Sequence, residues 1–198
     1  MRYLGERHLG FDTGELGFPS IRGCQAIVYV TSAGLFGFHN FGGAAPDDWA
    51  DRGAAFGSYV NAHTQTGAGK ALYGVCYATS ERGYGTGNVR KLWLAELSAF
   101  ASAVRFTGSI YGYDLDRSAV PTPALVELTR TPSQTCVIQV KAWSKAGSTE
   151  KSVSGLADHK TTYRPNTSTP TSVRDLTATV IDTMPTGGYT TVYPEQLR

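Results

Sequence analysis

The sequence predicts one α+β (mixed α/β) domain over residues 1–198, with a β-sandwich-like core of six or seven strands and two main helices. Three observations support this prediction. Several short segments are rich in β-branched and aromatic residues, as strands are. Two longer segments repeat apolar residues at spacings of three and four, as one face of a helix does. Gly and Pro separate these segments, and the length suits a single hydrophobic core.

The first strong strand signal is a β-hairpin. Residues 25–30 (QAIVYV) and 35–41 (LFGFHNF) form its strands, and residues 31–34 (TSAG) form its turn. Both strand segments carry apolar residues on both faces. They are therefore expected to be central strands that are covered on both sides.

Two helices follow the hairpin. The first is expected from Pro46 to about His63, because Pro46 suits the first helical position and Asp47 and Asp48 place negative charge at the positive end of the helix dipole. The second is the strongest helix signal in the chain, and Asn88 is expected to cap it.

Strand signals flank the second helix. Residues 71–79 precede it and residues 109–115 follow it, so residues 71–115 form a strand-helix-strand unit of a length suited to a crossover connection. Two more strands are expected at residues 124–128 and 135–143.

The C-terminal part of the chain carries weaker signals. Residues 160–172 are polar and rich in Thr, Ser and Pro, which predicts a long surface loop. Residues 173–183 are expected to return as a strand. Residues 185–198 are expected to form a weakly determined tail.

Composition and charge exclude several classes of partner. The 18 basic and 16 acidic residues leave a formal net charge of +2, so bulk electrostatic attraction favours neither a nucleic acid nor an anionic membrane. No apolar run approaches the roughly 20 residues that span a bilayer. The first residues (MRYLGERH) lack an apolar core of the kind found in cleavable secretory signals. We expect a protein of the bacterial cytoplasm, or one that is exported without a cleavable signal peptide.

No cofactor and no metal are expected. The three cysteines include no C-x-x-C pair, and the four histidines are far apart in the sequence. Residues 83–87 (GYGTG) lack the third glycine of a dinucleotide-binding motif and the lysine of a phosphate-binding loop, which predicts a flexible surface loop.

The candidate catalytic residues are Cys24 and His39. A hairpin turn centred on residues 32–33 pairs Ala26 with His39 and places Cys24 opposite Phe41. The thiol and the imidazole then share one face of the hairpin as diagonal neighbours, with Cβ atoms about 7 to 8 Å apart. A slip of one residue would place them on opposite faces.

A thiol and an imidazole together suit nucleophilic catalysis. A thiol attacks as its thiolate, and an adjacent base such as His39 can take its proton. Backbone N–H groups near Gly23 and Cys24 are candidates to hold an oxyanion. The group that orients the imidazole is left open among Ser20, Asn40 and a backbone carbonyl.

A structural interpretation is also open. Buried cysteines and histidines are common in protein cores. Cys24 and His39 would then be packing residues. Cys76 and Cys136 lie inside strand signals with no histidine nearby, and both are expected to be core residues.

Residues 21–28 (IRGCQAIV) and 37–39 (GFH) resemble the active-site signature of the glutamine deamidases related to the catalytic domain of cytotoxic necrotizing factor. A bacterial lethal factor and the chemoreceptor glutamine deamidase belong to the same group. The match covers residues 18–43. The resemblance implies a two-layered β core, Cys24 as the nucleophile that attacks a side-chain carboxamide, and His39 as the general base that also delivers a proton to departing ammonia.

The resemblance also implies a toxin-like effector, with a role in virulence, that needs no cofactor and takes a protein as its substrate. The chain is expected to act as a monomer.

Two residues depart from the pattern: Arg22 stands where necrotizing-factor-like sequences have serine, and Phe18 stands where the other two branches have a helping threonine. Ser20 is a candidate to replace that threonine. A Cys/His peptidase, a transglutaminase and a non-catalytic protein-binding domain are the alternatives.

Overall fold

The computed structural model describes residues 1–42, 46–63, 67–143, 161–162, 171–172 and 187–198. In these ranges two α-helices accompany two mixed β-sheets built from eleven strands. The α+β class and the β-sandwich-like core are therefore confirmed, although the sheets contain more strands than the six or seven expected.

The helices are α1 (Pro46–Ala62) and α2 (Val89–Ala103), and a short 3-10 turn covers Leu115–Arg117. The strands of the two sheets and one additional short pair (β10 and β11) are, in chain order, β1 (Arg2–Tyr3), β2 (Leu9–Asp12), β3 (Glu15–Ile21), β4 (Gln25–Thr31), β5 (Leu35–Asn40), β6 (Gly69–Cys76), β7 (Ile110–Asp114), β8 (Ala124–Arg130), β9 (Cys136–Ala142), β10 (Thr161–Thr162), β11 (Thr171–Ser172), β12 (Thr190–Val192) and β13 (Glu195–Gln196).

One sheet has six strands in the order β13-β7-β6-β4-β5-β2, and the other has five in the order β1-β3-β8-β9-β12. The pairs β1–β3 and β6–β7 are parallel, and the other neighbours are antiparallel. The parallel pair β6–β7 is joined through α2, which confirms the predicted crossover unit.

The six-stranded sheet is the middle layer of three. A Cβ added at Gly37 of β5 would lie 2.7 Å from side-chain atoms of Leu4 and Leu16, on the side of the five-stranded sheet. The next residue, Phe38, contacts Phe100 of α2 with ring centroids 5.9 Å apart. Strands β4 and β5 are buried along their whole length, as expected for strands covered on both faces.

Several predicted details are confirmed and others are wrong. The hairpin has the predicted turn, and α1 ends one residue before His63. The side chain of Asn88 makes no capping hydrogen bond to α2. The expected tail at 185–198 instead includes two strands: β12 joins the five-stranded sheet and β13 joins the six-stranded sheet.

The predicted loop at residues 160–172 lies outside the described residues except for β10 and β11, which pair antiparallel with each other. The predicted strand at residues 173–183 lies outside them entirely. Neither helix of the described chain is long and apolar enough to cross a membrane.

Candidate active site

The register of the central hairpin is the one on which the predicted pairing of Cys24 with His39 depends. Strand β4 pairs with β5 so that Ala26 lies opposite His39 and Val30 lies opposite Leu35, which is the predicted register. Side chains alternate along a strand, so extending the alternation of β4 one residue before its first residue, Gln25, directs Cys24 to the face of His39, although Nε2 of His39 makes no hydrogen bond to the thiol. This face is directed at the five-stranded sheet, because the His39 ring contacts Phe18 of β3 at a centroid distance of 6.1 Å.

A backbone carbonyl orients the imidazole of His39. Its Nδ1 lies 2.7 Å from the carbonyl oxygen of Leu4, which comes directly after β1. A carbonyl oxygen only accepts, so Nδ1 donates the proton and Nε2 carries the lone pair of the neutral ring. This Nε2 is buried and has no hydrogen-bond partner among the described residues. The ring therefore has the tautomer that a general base needs.

Two main-chain hydrogen bonds join the segment after Leu4 to His39. The N–H of His39 donates to the carbonyl oxygen of His8 at 3.0 Å, and the N–H of Arg7 donates to the carbonyl oxygen of His39 at 2.9 Å. The segment that supplies Leu4 is thus fixed against β5, which limits movement of the carbonyl relative to the ring.

Burial keeps His39 neutral. The residue is 0% exposed, and desolvation lowers the pKa of its imidazole from 6.5 to about 4. The hydrogen bond to Leu4 opposes this shift, whereas the nearby His8 and Arg82 add to it. At neutral pH the ring is therefore a proton acceptor and not an imidazolium ion.

The three cysteines differ in their surroundings, and none of them forms a disulfide. Cys24 is 9% exposed, at the edge of the core. Cys76 is fully buried, and burial raises the pKa of its thiol well above the ordinary value. Burial also raises the pKa of Cys136 to about 12. Cys76 is confirmed as a core residue, and Cys136 is partly buried against the core.

The other predicted orienting groups do not have that role. Asn40 alternates to the helix side of the sheet, where its amide donates to Glu96 at 2.8 Å. Ser20 lies in an irregular part of β3 with a φ of 61°, a conformation that is uncommon for serine. Nδ1 of His39 is already occupied by Leu4, so neither side chain orients it. Phe18 meets the imidazole of His39 with the edge of one aromatic ring against the face of the other.

Gly23 does not bend the chain through a left-handed conformation, because its φ is not positive. The contact between Gly23 and Gly42 is more informative about the packing at this point. A Cβ added at Gly42 would lie 2.9 Å from the carbonyl oxygen of Gly23, so the start of β4 and the chain after β5 are in close contact. Arg22 beside it is exposed and forms a 3.5 Å ion pair with Glu81.

A buried polar network lies on the helix side of these residues. Arg82 and Glu96 form an ion pair whose side chains are both 0% exposed. Tyr84 donates to the same carboxylate at 2.5 Å, and Arg52 donates to the Asn40 side chain at 3.1 Å. The expectation of a flexible surface loop at residues 83–87 is wrong for Tyr84, which is buried.

Sequence reasoning missed Leu4, Arg82 and Glu96. Leu4 acts through its main chain, which carries no residue-type signal. A Glu in the middle of an amphipathic helix and an Arg in a turn both resemble ordinary surface residues. The one available signal was position: Glu96 lies next to Leu97 and three residues after Trp93, on the apolar face of α2.

Among the described residues, no group of three or more His, Cys, Asp or Glu side chains could hold a metal ion. Comparison with protein-family models finds no family that matches this chain, and no curated protein matches it.

Proposed function

We propose that this protein is a thiol-dependent hydrolase that deamidates a glutamine side chain of a protein substrate. Cys24 is the nucleophile and His39 is the base in this proposal. The observation that supports it is the state of His39: a buried imidazole with Nδ1 bound to Leu4 and a lone pair on Nε2, on the face to which the alternation of β4 would direct Cys24. The resemblance of residues 21–28 and 37–39 to glutamine deamidases directs the choice of substrate.

The reaction proceeds by acyl transfer. Nε2 of His39 takes the thiol proton as the sulfur of Cys24 attacks the carboxamide carbon, and the carbonyl oxygen becomes an oxyanion. The imidazolium returns its proton to the nitrogen as the C–N bond breaks, which releases ammonia and leaves a thioester. His39 then takes a proton from water as the water attacks the thioester. Collapse of this second intermediate yields a glutamate side chain and restores the thiol.

The lowered pKa of His39 acts in opposite ways on the two proton transfers: it makes the ring a weak base towards the thiol and a strong acid towards the departing nitrogen. The ring is neutral before attack, so it can accept the thiol proton at neutral pH. Its conjugate acid is strong, so it gives the proton readily to the departing amide nitrogen. As a protein effector, the chain would act in the cytoplasm or after export.

The test uses water labelled with heavy oxygen. The full chain is incubated in this water with benzyloxycarbonyl-Gln-Gly and, separately, with bacterial and human cell lysates, and ammonia and peptide masses are measured. Hydrolysis of a thioester places one heavy oxygen atom on each new glutamate. Cys24→Ser should abolish the product, whereas Cys136→Ser is the matched control and should retain it.

His39→Asn is the companion variant. The Asn amide can still donate to the carbonyl of Leu4, but it supplies no base, so product formation should fall by about 10²–10⁴-fold. Cleaved peptides would indicate a peptidase instead, and incorporation of an added amine would indicate a transglutaminase. Absence of all three products, together with iodoacetamide reacting no faster with Cys24 than with free cysteine, would leave a non-catalytic protein-binding domain.

A further inference from the structure

Arg82 connects the two chain segments that carry Cys24 and His39. Its Nη1 donates to the carbonyl oxygen of Gly23 at 2.9 Å and to that of Phe41 at 2.7 Å. Gly23 directly precedes Cys24, and Phe41 lies two residues after His39. One nitrogen atom therefore joins the start of β4 to the chain that leaves β5.

This contact sets the direction of the peptide group at Cys24. The Gly23–Cys24 peptide bond is trans, so its carbonyl and its N–H point in opposite directions. Since the carbonyl is directed at Arg82, the N–H of Cys24 points away from Arg82. Thiol and hydroxyl acyl-transfer enzymes commonly use the nucleophile's own N–H as one oxyanion donor.

We propose that Arg82 is a positioning residue that holds the Gly23–Cys24 peptide so that the N–H of Cys24 stabilises the oxyanion. This inference rests on the proposed function. Arg82 does not touch the substrate; it acts through the peptide group that it binds.

Two further observations show that the arrangement is rigid. The guanidinium is held from its other side by Glu96, through Nη2 and through a 3.3 Å hydrogen bond from Nε. The carbonyl of Gly23 also lies close to the backbone of Gly42, where an added Cβ would be 2.9 Å from the oxygen. Because the guanidinium is bound by Glu96 on one side and by the two carbonyls on the other, it holds the Gly23–Cys24 peptide group in one orientation.

The chemistry requires an arginine at this position. A lysine ammonium is a point donor and cannot reach the carboxylate of Glu96 and both carbonyls in the same planar arrangement. Arg82→Lys keeps the positive charge beside Glu96 but loses the fork. It should therefore keep the fold and relax the peptide.

The test compares two reactions of one thiol. Deamidation passes through an oxyanion, whereas alkylation by iodoacetamide is a displacement at a CH₂ group and forms no oxyanion. For Arg82→Lys in the full chain we expect kcat for ammonia release from benzyloxycarbonyl-Gln-Gly to fall by about 10²–10³-fold with little change in KM. The rate at which iodoacetamide modifies Cys24, followed by peptide mass spectrometry, should stay close to that of the unmodified chain.

Arg90→Lys is the matched control, because it makes the same substitution at an exposed arginine whose guanidinium donates to the carbonyl oxygen of Gln196 at 2.8 Å, away from both carbonyls. It should leave both rates unchanged. If Arg82→Lys does not fold, Arg82→Met combined with Glu96→Gln is the second variant, because it removes both charges of the ion pair and keeps an amide that can bond to Asn40 and Tyr84.

The inference is overturned if a folded Arg82 variant deamidates normally, or if deamidation and alkylation fall together, as general loosening of the site would cause. A chain that releases no ammonia before any substitution refutes the proposed function itself, and the role of Arg82 with it. The two failures are thus distinguishable by the activity of the unmodified protein.

Discussion

Acidification should destabilise the fold through His39. In the folded chain the pKa of this buried imidazole is lowered from 6.5 to about 4. Between these two pH values an unfolded chain binds a proton at His39 that the folded chain does not bind. The contribution of His39 to stability is therefore complete above about pH 6.5 and is lost as the pH falls towards 4.

The expected size follows from the same pKa. The difference between the folded and unfolded values corresponds to a loss of about 3 kcal/mol in the free energy of unfolding, at about 1.4 kcal/mol per pH unit. Urea unfolding followed by tryptophan fluorescence, at several pH values from about 7 to about 4, measures this loss. His39→Asn is the reference, because it retains a donor for the carbonyl of Leu4 and does not titrate.

Other ionisable groups contribute similarly to both proteins, so the difference between the two curves isolates His39. We expect the unmodified chain to lose about 3 kcal/mol more than His39→Asn over this range. Parallel curves would mean that His39 is not a buried neutral imidazole, and the argument for its role as a base would fail.

Three further predictions concern packing around the site. Arg82→Ala alone should cost about 3–5 kcal/mol in urea unfolding, because it leaves the carboxylate of Glu96 buried without its ion pair. Gly42→Ala should lower the deamidation rate by displacing the carbonyl of Gly23, whereas Gly23→Ala, with its nearest non-neighbour atom at 3.4 Å, should be nearly neutral in the same assay. Removal of residues 189–198 should lower the urea midpoint, because the buried side chains of β12 and of the residue after β13 contribute about 1.5–3 kcal/mol each. Unchanged stability of Arg82→Ala or of the shortened chain, or an unchanged deamidation rate for Gly42→Ala, would contradict the packing described.

The parts of the fold that the sequence predicted are those with strong periodicity or a short turn. The register of the central hairpin follows from its turn, so the pairing of Ala26 with His39 could be derived. The crossover through α2 also follows from local patterns. Strands β1, β12 and β13 have two or three residues each, which is too short for alternation to be recognised.

The arrangement of the candidate site could be derived from the sequence only in part, for the same reason. Cys24 and His39 lie in or next to one local hairpin, whereas Leu4 and Arg82 approach from distant parts of the chain. Leu4 accepts through its main-chain oxygen, and the side chain of Arg82 donates to the main-chain oxygens of other residues. A main-chain oxygen is common to all residues, so no residue type marks it. The buried charge pair of Arg82 and Glu96 also contradicts the general tendency of charged residues to be exposed, and only tertiary contacts explain it.

The acceptor for His39 is a main-chain carbonyl oxygen, and this affects which sequence changes the site can tolerate during evolution. Every amino acid at position 4 would present a carbonyl oxygen, so drift at that position can alter the packing of the Leu4 side chain without deleting the acceptor. An insertion or deletion between β1 and β2 would instead carry the oxygen away from the ring. The orientation of the imidazole therefore depends on the path of the backbone and not on the residue type at position 4. Homologues that keep the number of residues between β1 and β2 can differ at position 4 and still hold the ring in the same orientation.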